Sequence, residues 1–306
     1  MDRLTARAAS PSPAWHGEGP TWDAEGAELL WVDITGGMVH TGTVDGDDVT
    51  EQAARRAGGT VGFVVPVAGG GWLAGADGGF TLLPPDGGAS VLVELAGEGG
   101  TEESGGTRMN DGACDRAGRL YGGTMAFAET PGASTLYRVD LDGTVTTVFD
   151  GLTVSNGIGW SPDDRTMYLS DSGVATVWAM DYDLESGLVG ERRTLLSFGD
   201  GPPADGLTVD DEGCVWTAHW SGGMVQRWSP EGELLVRVDV ATDNTSSCAF
   251  AGPGRDLLVI STSNHNLPPE KRSEQVDAGR LFTVRPGVTG PAAFPYRGPL
   301  TGLRQA

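Results

Sequence analysis

Several things are scarce in this 306-residue chain, and each scarcity removes a class of protein. Lysine is nearly missing. Lys271 is the only one, and 20 basic residues face 42 acidic ones, for a formal net charge of −22. A surface of that sign repels phosphate backbones and anionic bilayers, so neither nucleic acid nor a membrane is expected as a partner. Cysteine occurs only at Cys114, Cys214 and Cys248, far apart and odd in number. Without a CxxC pair, neither a disulfide framework nor a thiolate zinc site is expected, and reduced thiols fit a cytoplasmic protein. No apolar run approaches the roughly 18 residues of a membrane span. The opening MDRLTARAASPSP lacks the apolar core of a signal peptide. No pair of histidines has ligand spacing, HExxH is absent, and so is the GxSxG elbow of serine hydrolases.

Glycine, by contrast, is abundant at 49 residues, and it falls between short apolar runs. That is the punctuation of an all-β protein rich in tight turns. Six segments share one pattern of short strand, Gly/Asp turn and second strand: GPTWDAEGAELLWVD, FVVPVAGGGWLAGA, GACDRAGRLYGGT, GIGWSPDDRTMYLSD, GLTVDDEGCVWTAHW and CAFAGPGRDLLVIST. Anchored on Gly26, Gly71, Gly118, Asp164, Gly213 and Gly254, they step by 45, 47, 46, 49 and 41 residues. A period near that length, with further hairpins such as those at 135–149, 177–198 and 224–240, predicts a six-bladed β-propeller of four-stranded antiparallel blades. The repeats use up the chain, so a single domain over 1–306 is expected. A strand near residues 5–15 should close the ring against the last blade, because an open ring exposes sheet edges.

Eight positions before each anchor stand Glu18, Phe63, Asn110, Asn156, Asp205 and Ser246. Equivalent positions of a ring lie at one height around its axis, so these side chains should meet at one mouth of the central channel. Asn-Gly and Asp-Gly are also good turn formers. Glu18 is not, however, and the hairpin turns are already supplied downstream. Glu18, Asn156 and Asp205 together offer two carboxylates and an amide oxygen. Oxygen donors suit hard cations, so one divalent ion is expected: Ca²⁺ first, with Mg²⁺, Mn²⁺, Fe²⁺ or Zn²⁺ as alternatives. His16 is close enough to Glu18 to support the site, whereas His40, His219 and His265 read as ordinary hydrogen-bonded residues.

At these residues the sequence resembles the SMP-30/gluconolactonase/regucalcin family of six-bladed propellers. The matching segments are GEGPTWD at 17–23, RMNDGACDRAGRLYGGTM at 108–125, SNGIGWSPDDRTMYLSDS at 155–172, PADGLTVDDEGCVWTAHW at 203–220, TSSCAFAG at 245–252 and AAFPYRG at 292–298. The resemblance implies that Glu18, Asn156 and Asp205 ligate the metal and that Arg108 and Asn110 contact substrate, with Asp111 beside the site. The family often carries an acidic substrate contact just after GTM. Here Phe127 and Ala128 stand in that stretch, and Glu129 follows one step later.

The expected activity is therefore metal-dependent opening of a sugar-derived lactone, with Asp205 as general base and a small-molecule lactone as partner. Arg108, Asn110 and Glu129 would position the ring, in a monomer or weak homo-oligomer. Three alternatives use the same architecture: a cation-binding regulatory propeller with little turnover, a promiscuous esterase or organophosphate hydrolase, and a scaffold for protein partners. Residues 263–278 read as either a lid or an exposed insertion.

Overall fold

The computed structural model describes residues 1–11 and 13–306. Six antiparallel sheets succeed one another along the chain as the blades of a propeller. Their innermost strands are Gly17–Asp23, Val61–Pro66, Thr107–Cys114, Ser155–Trp160, Ala204–Val209 and Thr245–Ala251, in blades 1 to 6. Each packs beside its two neighbours, so the ring is closed.

The second strands show why these sequences form blades. In Glu28–Asp33, Leu29 and Trp31 face blade 6, while Leu30 and Val32 face blade 2. Alternating side chains of one strand thus serve opposite faces, and both faces of the blade are covered. Six apolar clusters result, one at each junction between adjacent blades. The outer hairpins fall where the turn signals put them, for example Ser134–Val139 with Thr144–Leu152 and Met224–Trp228 with Leu234–Asp239.

Closure uses the N-terminal segment, as the unpaired edge demands. Arg7–Ala8 pairs antiparallel with Phe282–Val284 as the outer strand of blade 6. Two further edges are covered in a way the repeat did not announce. Asp2–Thr5 adds a fifth, parallel strand to blade 5, and Arg304–Gln305 adds one to blade 3.

The far end of the channel is crossed by residues 289–297. Backbone hydrogen bonds tie this strap to blades 5, 6, 1, 2 and 3 in turn, through Asp211, Arg255, Trp22, Pro66 and Gly118. Within the strap Tyr296 is fully buried, and the Arg116 guanidinium lies 4.9 Å from the Phe294 ring. No helix among the described residues is long and apolar enough to cross a membrane.

Candidate active site

All six innermost strands carry a register shift near their first residues. Such a bulge twists the strand locally and re-aims side chains. The residues at or just before these shifts are Glu18, Gly62, Asn110, Asn156, Asp205 and Ser246. Five of the six match the sequence register. Phe63 is the exception and corrects it: its ring is buried in the cluster between blades 2 and 3, against Phe80. The glycines at 69, 70 and 71 all have positive φ, so the turn of that blade has no unique anchor, and its register is offset by one from the spacing of the other blades. Gly62 occupies the position instead. A Cβ there would come within 2.5 Å of the Met109 and Asn110 carbonyl oxygens.

A chamber of about 240 Å³ opens at this end of the channel. Glu18, Arg108, Asn110, Asn156, Asp205 and Glu129 all line it. Ser246 does not reach it as a free group, because its hydroxyl donates to the Gly17 carbonyl at 2.7 Å and pairs with Ser261 at 2.9 Å.

The polar groups are fixed by specific partners. One oxygen of Glu18 accepts the Gly19 N–H at 2.7 Å. The Asn156 amide nitrogen donates to the Ser172 hydroxyl at 3.1 Å, which donates onward to the Ala204 carbonyl at 2.7 Å. That orientation leaves the amide oxygen of Asn156 for the chamber. Arg108 donates to the Asn110 side-chain oxygen at 2.7 Å, and the Asn110 nitrogen donates to the Ser155 carbonyl at 2.9 Å. Asn110 therefore braces Arg108 and keeps one N–H and one lone pair for another partner. Glu129 stands at the exposed rim with φ of 50°.

Electrostatics set this cluster apart. Burial, then the charges of Asp205 and Asp111, hold the Glu18 carboxyl well above the usual carboxylate range. Burial and the Asp111 charge do the same to Asp205. Asp111 itself is pushed up to about 7 by burial, against the opposing pull of the Gly112 N–H. Burial lowers Arg108 to about 10, although Glu18, Asp205 and Glu129 pull the other way. Carboxylates gathered out of water with one guanidinium beside them need further positive charge.

A divalent cation fits that need. Among the described residues no group of three His, Cys, Asp or Glu is placed to hold an ion. The donor set is instead two carboxylates and an amide, all oxygen, which suits a hard cation completed by water.

Histidine roles divide in a way the sequence did not show. His40 bonds Glu51 at 2.9 Å and His219 bonds Thr217 and Pro202 inside blade 5, as expected of structural residues. His265 corrects the reading made for it, because it lines the chamber and stacks on His16. Burial, then the Arg108 charge, lowers both imidazoles. Trp220 and Glu102, which no sequence pattern points to, also line the chamber, and so does Phe127. Only Phe127 carried a signal, by standing where an acid was expected. The 263–278 segment is neither free nor a plain insertion. Asn244 and Asn264 bond its His265 and Ala278 carbonyls at 2.7 Å, and Gln275 accepts the Asp243 N–H at 2.8 Å.

Fold and site together define a class: a closed six-bladed propeller with an oxygen-donor pocket at one channel mouth. Within that class, the chain belongs to the family described as SMP-30/gluconolactonase/LRE-like region, whose profile matches residues 16–264. It is 34% identical over 288 residues to pentonolactonase XacC of Haloferax volcanii, covering 91% of this chain and 93% of that one. It is 33% identical over 288 residues to regucalcin of Danio rerio, covering 92% and 95%. Among solved structures it resembles a calcium-binding protein, regucalcin, from Agrobacterium tumefaciens, with a TM-score of 0.86 and 26% identity over 97% of this chain and 98% of that one.

Proposed function

We propose that this protein is a divalent-metal-dependent lactonase acting on a sugar-derived lactone. The observation that carries the reading is the gathering of Glu18, Asn156 and Asp205, from three different blades, beside Arg108 in one chamber. Membership of a family with a pentonolactonase relative supports the choice of substrate.

Glu18 and Asp205 supply the charge and Asn156 the neutral oxygen that would hold the ion. When bound, a divalent ion supplies Lewis-acid polarisation of the lactone carbonyl and lowers the pKa of water. Asp205 takes the proton as a water oxygen bonds to the carbonyl carbon. The ring C–O bond then breaks, and Asp205 returns that proton to the ring oxygen, which leaves as a hydroxyl while the base is restored. Arg108, held by Asn110, donates to oxygens of the ring and fixes its orientation. Glu129 at the rim accepts from a substrate hydroxyl. The partner is thus a small lactone; a cytoplasmic setting and a monomer or weak homo-oligomer complete the proposal.

The test is a panel of aldonolactones run on chelator-stripped protein resupplied with Ca²⁺, Mg²⁺, Mn²⁺, Fe²⁺ or Zn²⁺ in turn. Ring opening well above the buffer rate with at least one ion is expected. The catalytic reading fails if no loaded form exceeds buffer on any lactone. A cation-binding protein with little turnover is the second reading, favoured by the likeness to proteins named regucalcin. Tight ion binding by calorimetry together with that null kinetic result would select it.

A further inference from the structure

The chemistry described above uses the side of the chamber that carries Arg108 and Asn110, on blade 3, and leaves the opposite side without a role. There the ends of blades 5 and 6 and the start of blade 1 supply Trp220, His265 and His16. The His16 and His265 rings stack at 4.5 Å with planes 8° apart, and Trp220 lies 5.7 Å from His16 at a tilt of 46°. Backbone bonds hold this arc in place. His16 bridges Ser263, and the Asn264 N–H donates to the Trp15 carbonyl at 2.9 Å.

The three rings have polar edges with nothing in the protein to pair them. His16 is 6% exposed, and its Nδ1 is buried without a hydrogen-bond partner. His265 makes its bonds through the backbone alone: its carbonyl accepts from Asn244 at 2.7 Å, and its N–H donates to the Ser263 hydroxyl at 2.9 Å. The Trp220 indole N–H has no partner among the described residues. His219, inside blade 5, shows the contrast, with both ring nitrogens bonded. A neutral imidazole carries one N–H and one bare nitrogen. A buried N–H without an acceptor is tolerated less often than an unpaired acceptor. The sealed Nδ1 of His16 is therefore the bare nitrogen, and Nε2–H is the donor His16 brings to the chamber it lines.

From this arrangement we infer that His16, His265 and Trp220 form a second hydrogen-bonding wall, which receives ring hydroxyls on the edge of the bound lactone turned away from Arg108. The inference rests on the lactonase reading for its ligand class. The His16 Nε2–H and the indole N–H donate to hydroxyl oxygens, and the bare nitrogen of His265 accepts a hydroxyl proton. The wall selects polyhydroxylated cyclic esters. A deoxy edge displaces water from the same nitrogens and returns no bond to them.

The experiment takes one aldono-δ-lactone and its series of monodeoxy counterparts through metal-loaded wild type, His16→Phe, His265→Phe and His265→Gln. In wild type at least one deoxy counterpart should fall about tenfold in kcat/KM, the scale of one well-made hydrogen bond. That deficit should vanish in the two Phe variants, which keep a ring and lose its nitrogens, because the parent lactone itself is used less well, mainly through KM. His265→Gln, which restores a polar group, should recover part of it. Equal use of the whole series by wild type, or the same deficit in wild type and both Phe variants, overturns the wall. A second arm needs no turnover: calorimetry with a polyhydroxylated δ-lactam that resists hydrolysis. Binding about tenfold weaker in the Phe variants supports the wall even if no lactone is opened, in which case only the lactonase reading fails. A lactam that binds wild type and both Phe variants alike, or binds none of them, contradicts it.

Discussion

The two ends of the channel are made by the same six strands and have opposite characters. At the mouth, each strand is bulged, and the chamber holds Glu18, Asn156, Asp205, Arg108 and Asn110. Below, the ladders run regularly, and a second cavity of about 160 Å³ is lined by the apolar Phe63, Val65, Ile158, Leu207, Val209 and Phe250 together with polar residues such as Arg116, Asp164 and Asp210. The strap at 289–297 crosses that end. Asp111 lines the lower cavity, yet its charge reaches Glu18 and Asp205 above. The difference teaches that one strand can serve two purposes if a bulge separates them. Regular pairing below provides rigidity, and the irregular turn above converts the first residues into a site.

That contrast can be broken from either end. The largest effect is expected at the mouth: Asp205→Asn should lower kcat by at least about a hundredfold, the scale of a lost general base. Its circular dichroism and thermal melting should stay close to wild type. Below the bulge the pattern should invert. Phe63→Ala should destabilise by about 3–5 kcal/mol, read by denaturant unfolding, while kcat per folded molecule is retained. Comparable kinetic damage from both variants would remove the division between the ends.

Arg108→Lys keeps the charge and loses the planar fork that Asn110 braces. We expect a fall of about tenfold in kcat/KM, the worth of one hydrogen bond from a charged group. A value within error of wild type would mean that Arg108 acts on the substrate only as a charge. The smallest effect concerns pH. Glu18, Asp205 and Asp111 titrate higher in the folded chain than unfolded, so the folded state binds the extra protons. Their contribution is present below the ordinary carboxylate value and is lost as pH rises through the folded one. For Asp111 that window runs from 3.8 to about 7. Metal-stripped protein should therefore melt at progressively lower temperature across it, and added ion should flatten the slope by favouring the ionised carboxylates. A metal-free melting point that climbs through this window would contradict the crowding of the three acids.

Much of this was legible in the sequence because a propeller repeats its own grammar. The run LLWV at 29–32 declares a strand covered on both faces, and the turn spacing places Glu18, Asn156 and Asp205 at one level. Phe63 was misplaced because consecutive glycines erase the turn's reference point. His265 and Trp220 were unreadable for another reason. Trp220 directly follows a strand and His265 lies three residues beyond one, where the repeat no longer constrains direction, and only tertiary contacts turn them inward. The strap showed as the motif AAFPYRG without its purpose, since what it covers is assembled from distant blades. The fifth strands had no signal beyond a few ordinary residues at 2–5 and 304–305.

The central claim is that the three oxygen donors at the mouth hold one ion on which ring opening depends. Titrating the activating ion into chelator-stripped protein, while following both bound ion and lactone hydrolysis, tests it most directly. Activity should rise in proportion to bound ion and stop at one ion per chain, and Asn156→Ala should need a higher ion concentration to reach the same occupancy. Hydrolysis that is unaffected by stripping, or that rises without saturating a single site, would contradict the account.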